Sequence, residues 1–398
     1  MPIASGTHHF PAMARVVFGQ AAADAVAQEV RVADAKRVLL LVSTTLNRQT
    51  DAIRQIEQAL GERHAATVDG MPQHTARTGV ARVTRVALDA GADLVVAIGG
   101  GSVIDAAKMT TLCMQHGMVD EHLERLDQFE IRLDDQGKLV RPVFDGPTVR
   151  MVAVPSTLNG GEFNSGCLVT DTRRRHKQTF GHPVMVPRTV VLSSDIPVHT
   201  PAPLWLGSAT RALDHAIEAL LSTTPTPLAD AVVLDGIARM VQALRRWRAD
   251  PTSDQARADC QTASWLCSYG ISSRGPLGGV MMGLSHAIGH VLGGTCGVPH
   301  YFCTPVLMPA VLRWTAPATA DRQRLLARAL GDEQAPAAAL FGDFGRELGL
   351  PACLADVDVQ PAQFDQIAKL AMHEVFVHGS ARKVQGPADI VEILQMAA

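Results

Sequence analysis

Four histidines stand where an imidazole could do more than fill a core. His286 and His290 are four residues apart, so on a helix they share one face. His300 follows a glycine-rich break, Gly293-Gly294 and then Gly297-Val298-Pro299, able to turn it back toward that face. His215 lies in the run Arg211-Ala212-Leu213-Asp214-His215-Ala216-Ile217-Glu218-Ala219. Imidazole exchanges protons near neutral pH and ligates metals, so this set suits proton transfer or metal binding. A chain with 15 histidines gives one pair at this spacing by chance about half the time, so the pair alone decides nothing. An isolated buried histidine is more often a hydrogen-bonded core residue. The third histidine and the surrounding glycines are what make the group a candidate centre.

A second group has the composition of a phosphate cradle. In Leu94-Val95-Val96-Ala97-Ile98-Gly99-Gly100-Gly101-Ser102-Val103-Ile104-Asp105-Ala106-Ala107-Lys108, a buried strand runs into three glycines, a serine and a helix. Glycine lets the backbone approach a diphosphate, Ser102 is placed to cap the helix, and the helix N-terminus offers free N–H groups and a positive dipole. The same residues would make a tight turn with no ligand, but ordering three successive glycines is entropically costly. The spacing is not GxGxxG, so the usual dinucleotide fingerprint is absent. A further turn, Pro155-Ser156-Thr157-Leu158-Asn159-Gly160-Gly161-Glu162, follows another apolar strand. Its hydroxyls and glycines suit a diphosphate or ribose, and equally a plain loop.

The elements that must position these groups come in two styles. Val38–Val42, Leu94–Ile98, Arg150–Val154 and Thr189–Leu192 read as buried strands. The segments 50–60 and 75–90 between the first two of these strands have helical spacing. Near-continuous apolar strands alternating with helices predict a parallel sheet covered on both faces. After about Pro197 alanine and leucine dominate with helical periodicity, as in 228–247 and 253–267, and no strand is evident. The expected organisation is an α/β dinucleotide-binding domain over 1–196 and an all-helical catalytic domain over 197–398. Breaks are expected at Gly275-Pro276, Gly293-Gly294 and Gly297-Val298-Pro299. Residues 120–147 read as a charged insertion or surface hairpin, and Arg173-Arg174-Arg175-His176-Lys177 as a solvated loop.

Composition narrows the classes. With 47% hydrophobic and 19% charged residues the chain packs a core rather than staying disordered. A formal net charge of −3 gives no electrostatic reason to expect a nucleic acid or membrane partner. No apolar run is long enough to span a bilayer, no leader pattern opens the chain, and the seven scattered cysteines form no CxxC pair. A cytoplasmic protein with reduced thiols is expected.

Gly99-Gly100-Gly101-Ser102 with Asp105 and Lys108, the Pro155-Ser156-Thr157 turn, His215-Ala216-Ile217-Glu218-Ala219 and the His286/His290/His300 series together resemble the iron-containing alcohol dehydrogenase superfamily. The resemblance runs from Val17-Phe18-Gly19 to the segment 377–394. It implies an N-terminal nucleotide-binding α/β domain, a C-terminal helical domain and NAD or NADP in the cleft between them. Among the positions that contact cofactor in that family are those of Gly100, Gly101, Ser102, Ser156, Thr157, Lys177 and Thr44. No acid follows the strand that ends in Ser43-Thr44-Thr45, so NADP is expected to be tolerated or preferred.

In metal-dependent members the ligands are an aspartate, a histidine four residues later and two further histidines. The histidines match His215, His286 and His300, while His290 matches an extra histidine beside the nicotinamide. The aspartate position falls on Arg211, a permanent cation with no lone pair to donate. Asp214 adjoins His215, should point about 100° away on a helix, and makes a poor substitute. Maleylacetate reductases also lack that aspartate and are similar around the Ser156–Glu162 turn, Gly293-Gly294-Thr295 and Pro299-His300. The expected function is thus NAD(P)H-dependent reduction of a small acidic carbonyl compound without a metal. His290 or His286 would donate the proton, and Arg211 would hold the acid. The alternatives are a zinc or iron enzyme using His215, His286 and His300, and a non-catalytic cofactor-binding relative. The resemblance further implies a homodimer with a small-molecule substrate as its partner.

Overall fold

The computed structural model describes residues 8–72, 74–121, 123–134, 138–174, 176–272 and 282–398. The expected break at Gly275-Pro276 and Arg175 of the basic run lie outside them. The described residues group into two compact units, 11–200 and, in the other, 8–10 with 201–272 and 282–398.

The first unit is built on a six-stranded parallel sheet. Its strands are β1 (Arg15–Phe18), β2 (Val38–Val42), β3 (His64–Val68), β4 (Leu94–Gly99), β7 (Arg150–Pro155) and β10 (Thr189–Leu192). The order across the sheet is β1-β10-β7-β4-β2-β3. Every residue of β2 and β4 is buried, as all-apolar strands covered on both faces should be. The edge strands β1 and β3 are only partly buried, which explains their weak apolar signal. Helices α1 (Ala22–Val32), α2 (Thr44–Gln49), α3 (Ala52–Leu60), α4 (Arg77–Asp89) and α5 (Gly101–Gln115) make the crossovers. One core cluster joins Val26 and Val30 of α1, Ile53 and Ile56 of α3, and Leu40, Val96 and Val152 of the sheet.

Residues 120–147 hold a 3-10 stretch, Glu124–Phe129, and a hairpin of two short strands, β5 (Arg132–Leu133) and β6 (Leu139–Val140). Arg77 ties this segment down, donating to the Leu123 carbonyl at 3.2 Å and pairing with Asp127. A second hairpin, β8 (Gly166–Asp171) and β9 (His176–Gly181), is not anticipated from apolar periodicity. The expected solvated loop at 173–177 is corrected in part. Arg173 and Arg174 do sit in the hairpin turn, but His176 and Lys177 belong to β9.

The second unit is helical: α6 (Ala202–Leu220), α7 (Pro227–Ala249), α8 (Asp254–Ser272), α9 (Leu284–Thr295), α10 (His300–Leu330), α11 (Ala337–Glu347), α12 (Phe364–Ala371) and α13 (Pro387–Met396). Among its described residues there is no strand. Every residue from Trp205 to Leu220 is buried, which makes α6 the central helix. A core cluster of α9, α10, α12 and α13 side chains includes Ile288, Leu307, Trp314, Ile367 and Ile393. The expected break at Gly293-Gly294 does not occur, because α9 continues through both glycines to Thr295. The chain turns instead at Gly297, whose φ of +70° favours glycine. No described helix is long and apolar enough to cross a membrane.

Candidate active site

The glycine turn lies at the carboxyl end of β4. Gly100 is the N-cap of α5 and Gly101 its first residue, so the helix starts two residues earlier than Ser102 capping requires. That expectation is corrected: no side chain caps this helix, and its first N–H groups remain for a ligand. Gly101 is the crowded position of this turn, while Gly100 has ordinary room. A Cβ on Gly101 would lie 2.5 Å from Asn159 Nδ2, and one on Gly100 would lie 3.5 Å from Thr157 Cγ2. The Ser156–Glu162 turn thus packs directly on the glycines. Ser156 N donates to the Gly99 carbonyl at 3.0 Å.

Lys108 clamps this second turn from below. Its Nζ donates to the carbonyls of Gly161 and Gly166, both at 2.7 Å, and to Asn164 Oδ1 at 3.3 Å. Burial lowers its pKa, although Asp105 opposes the shift. Glu162 is buried in the same turn, and burial pushes its carboxyl up to about 7. Lys177 pairs with Thr170 across the β8–β9 hairpin, where Leu168 N donates to Asp105 Oδ2 of α5 at 3.2 Å. Thr44 begins α2 at the carboxyl end of β2 and accepts from Gly70 N at 3.0 Å.

In the helical unit the four histidines form a row. Ring centroids are 5.0 Å apart for His215 and His286, 6.4 Å for His286 and His290, and 5.7 Å for His290 and His300. Helix α6 brings Arg211, Asp214, His215 and Glu218, α9 brings His286 and His290, and α10 begins with His300. Phe376 packs edge-on against His286 and His290, with centroids 6.3 and 5.4 Å away. Every residue named as a candidate centre in this unit therefore falls in one cluster.

Carboxylates to which the sequence assigns no role in the site hold the cluster together. Glu218 Oε2 meets His286 Nδ1 at 2.6 Å and accepts from Gly283 N at 2.7 Å, while Oε1 accepts from Ser285 N at 2.9 Å. It thus caps α9 and orients the imidazole with one carboxylate. Asp214 Oδ2 accepts from Arg211 Nη1 at 2.8 Å, Ser285 Oγ at 2.9 Å and Thr304 Oγ1 at 2.7 Å. Its Oδ1 lies 3.5 Å from His286 Nδ1. The expectation that Asp214 points away is therefore corrected: successive residues Asp214 and His215 both reach His286, one from its Nδ1 edge and one from its face. Glu374 Oε2 meets His290 Nδ1 at 3.1 Å.

The electrostatics follow from these contacts. Burial and the Arg211 charge oppose protonation of His286, but Asp214 and Glu218 outweigh them and raise its pKa. Burial, seconded by His286 and Arg211, holds His215 well below the ordinary histidine range, so its ring is neutral. Burial works against the Asp214 carboxylate, yet His286 and Arg211 keep its pKa below the usual value. Among the described residues, the hydrogen bonds of Arg211 all run from Nη1, to Asp214 and to Thr304 at 3.0 Å. His215 Nδ1 and His286 Nε2 are buried without a hydrogen-bond partner among the described residues, an arrangement that a bound water or ligand would relieve.

Comparison with known proteins places this arrangement. The profile of the iron-containing alcohol dehydrogenases matches residues 13–194, and that of the C-terminal part of the same family matches residues 207–398. Maleylacetate reductase 1 of Rhodococcus opacus is 30% identical over 362 residues, covering 90% of this chain and 87% of that protein. Maleylacetate reductase 1 of Cupriavidus pinatubonensis is 28% identical over 362 residues, 91% of this chain and 89% of its own. Among solved structures, maleylacetate reductase from a Rhizobium species superposes with a TM-score of 0.80 at 27% identity, covering 100% of this chain and 98% of that one. A 1,3-propanediol oxidoreductase shares the fold, with a TM-score of 0.86 at 22% identity over 99% of this chain and 100% of that one. By family match, length and fold alike, the chain belongs to the iron-containing alcohol dehydrogenases and is an NAD(P)-dependent oxidoreductase.

Proposed function

We propose that the chain reduces a small carbonyl acid, of the kind named in its maleylacetate reductase relatives, and that it does so without a metal ion. The observation that carries this reading is the buried pair Arg211–Asp214, in which a guanidinium stands where the family's metal-dependent members are expected to place a carboxylate ligand. A divalent ion fits poorly among these donors. Asp214, Glu218 and His286 offer ligand atoms within 4.8 Å of one another. Asp214 Oδ2 already takes three donors, though, which leaves Oδ1 as its one unpartnered oxygen among the described residues, and both Glu218 oxygens take helix N–H groups. His215 and His286 are stacked at 19°, and lone pairs lying in near-parallel ring planes do not converge on one ion. An added cation would also face the permanent charge of Arg211.

NAD(P)H supplies a hydride. Whether the hydride enters a carbonyl carbon or an alkene conjugated to it, negative charge gathers on the carbonyl oxygen. His286, kept protonated by its carboxylate neighbours, offers Nε2–H to that oxygen. His290, oriented by Glu374, supplies the proton that completes the reduction. The Nε–Nη2 edge of Arg211 takes a substrate carboxylate as a two-point fork. The first turn of α5 with Gly100, Gly101 and Ser102 receives the cofactor diphosphate, with Ser156, Thr157, Lys177 and Thr44 around it.

Elemental analysis of protein purified without added metal, beside an NAD(P)H-oxidation assay with and without chelator, tests the reading. Activity on a keto acid that survives chelation, with substoichiometric metal, is expected. Stoichiometric zinc or iron with activity lost on chelation would refute it.

A further inference from the structure

The edge of the sheet that holds the glycine turn continues sideways into a basic corner. At the end of β2, Ser43 N donates to the Ile98 carbonyl at 2.8 Å, and a Cβ on Gly99 would lie 3.3 Å from Ser43 Cβ. One strand further out, Gly70, just past β3, donates to Thr44 Oγ1 at 3.0 Å. The corner made by residues 43–48 and 69–70 therefore starts at the glycine turn and extends one strand spacing, about 5 Å, beyond β2. In a dinucleotide anchored by its diphosphate at that turn, the adenosine ribose is the next group along. Its 2′ position is where the two nicotinamide cofactors differ, a hydroxyl in one and a phosphate in the other.

A ribose diol is held by a carboxylate with oxygens to spare. The carboxylate at this corner is Asp69, and it is already engaged. Arg48 grips it at both ends, Nε to Oδ2 at 2.9 Å and Nη2 to Oδ1 at 3.1 Å. Asn47 Nδ2 adds a contact to Oδ2 at 3.1 Å. Both lone pairs of Oδ2 are thus filled, and Oδ1 keeps one. Arg82 brings a second guanidinium, its Nη2 donating to the carbonyls of Asp69 and Gly70 at 2.6 and 3.2 Å. Two guanidiniums against one carboxylate leave a net positive charge. The Arg48 side chain is 67% exposed while its inner edge is fixed, so its other N–H groups are presented outward on a pre-oriented fork.

We propose that this corner is a 2′-phosphate site, in which Arg48 and Arg82 determine specificity and make the enzyme prefer NADPH to NADH. Asp69 acts as the positioning residue: it holds Arg48 flat, so a phosphate binds without first ordering a long side chain. The inference rests on the glycine turn receiving the cofactor diphosphate.

Calorimetric titration of the full chain with NADPH, NADH and 2′,5′-ADP tests it. The wild-type protein is expected to bind NADPH about 10- to 100-fold more tightly than NADH, the range of one charge-assisted hydrogen bond. Arg48→Ala should remove most of that margin by weakening NADPH and 2′,5′-ADP, while NADH holds its affinity or gains because Asp69 is released. Arg48→Lys should keep part of the preference, since charge remains and the fork is lost. NADH bound as tightly as NADPH by the wild type, or equal weakening of both by Arg48→Ala, would overturn the proposal while leaving the diphosphate turn standing. Failure of the wild type to bind any of the three would overturn both.

Discussion

Arg211→Met is the substitution that most directly separates the two duties assigned to Arg211. Methionine keeps much of the arginine stem's length and apolar volume and removes the charge. In the native cluster the Arg211 and His286 cations face the Asp214 and Glu218 carboxylates, so the buried charges balance. Without Arg211, Asp214 keeps the Ser285 and Thr304 hydroxyls and the nearby imidazolium, and the cluster carries one excess negative charge. Breaking a buried pair from one side costs about 3 kcal/mol, which for a unit of this size lowers Tm by roughly 6–12 °C. The effect on substrate is separate. Loss of charge-assisted bonds from the free guanidinium edge, about 1.5–3 kcal/mol, predicts a rise in KM of roughly 10- to 150-fold for a keto dicarboxylic acid. The corresponding neutral diester makes no such bonds and should show a KM within about twofold of wild type. Initial rates of NAD(P)H oxidation with acid and ester, run below the new Tm, supply the comparison. A folded variant in which acid and ester keep their wild-type ratio of kcat/KM would refute the role given to Arg211.

Three further outcomes follow from single contacts. Glu374→Ala removes the group that orients His290, so kcat should fall about tenfold with KM little changed, and Glu374→Gln, which can still accept from Nδ1, should restore part of the loss. Gly101→Ala places a Cβ 2.5 Å from Asn159 Nδ2, forces that side chain to move and puts a methyl group at the start of α5, so cofactor binding should weaken about tenfold, read by cofactor titration. Glu162, with its carboxyl raised from 4.5 to about 7, is bound to its proton more firmly when folded than when unfolded. Stability is therefore greatest below pH 4.5 as far as this group is concerned, and about 3 kcal/mol of it is lost as pH rises through 7. Glu162→Gln should flatten the fall of Tm between about pH 5 and 8, and an unchanged slope would refute the assignment.

The parts of this protein that are legible in its sequence are those whose cause is local. Strands β2, β4, β7 and β10 announce themselves because a strand buried on both faces has no polar side to interrupt it. The edge strands β1 and β3, and the β8–β9 hairpin with its alternating burial, carry a mixed pattern that a search for apolar runs passes over. Histidines four apart on α9 are legible from helix geometry, as is Arg211 one turn before His215. Glu374 is not, because it lies 84 residues from the His290 it orients and nothing local to it signals the contact. Asp214 shows the limit of helical-wheel reasoning. Adjacent positions on a helix are offset by about 100°, yet the side chains of Asp214 and His215 both reach His286, at its Nδ1 edge and at its face.

The exchange of an expected ligand carboxylate for Arg211 makes sense as conserved charge rather than lost function. Reduction of a carbonyl group or of an alkene conjugated to it gathers negative charge on oxygen, and catalysis requires positive charge fixed nearby before the reaction begins. A metal ion is one way to provide it, and a guanidinium with an imidazolium is another. Two such cations cannot be buried alone, so each needs a carboxylate that does not quench it from the substrate side. Asp214 meets Arg211 at Nη1 only, and Glu218 meets His286 at Nδ1 only. The opposite edge of each cation is left facing away from its counterion. Glu218 is itself anchored by the N-terminus of α9, so it cannot swing across to neutralise that edge. The cluster is thus neutral as a whole and positive on one side. In the proposed reaction, that polarity suits the hydride acceptor's oxygen and an acid group beside it.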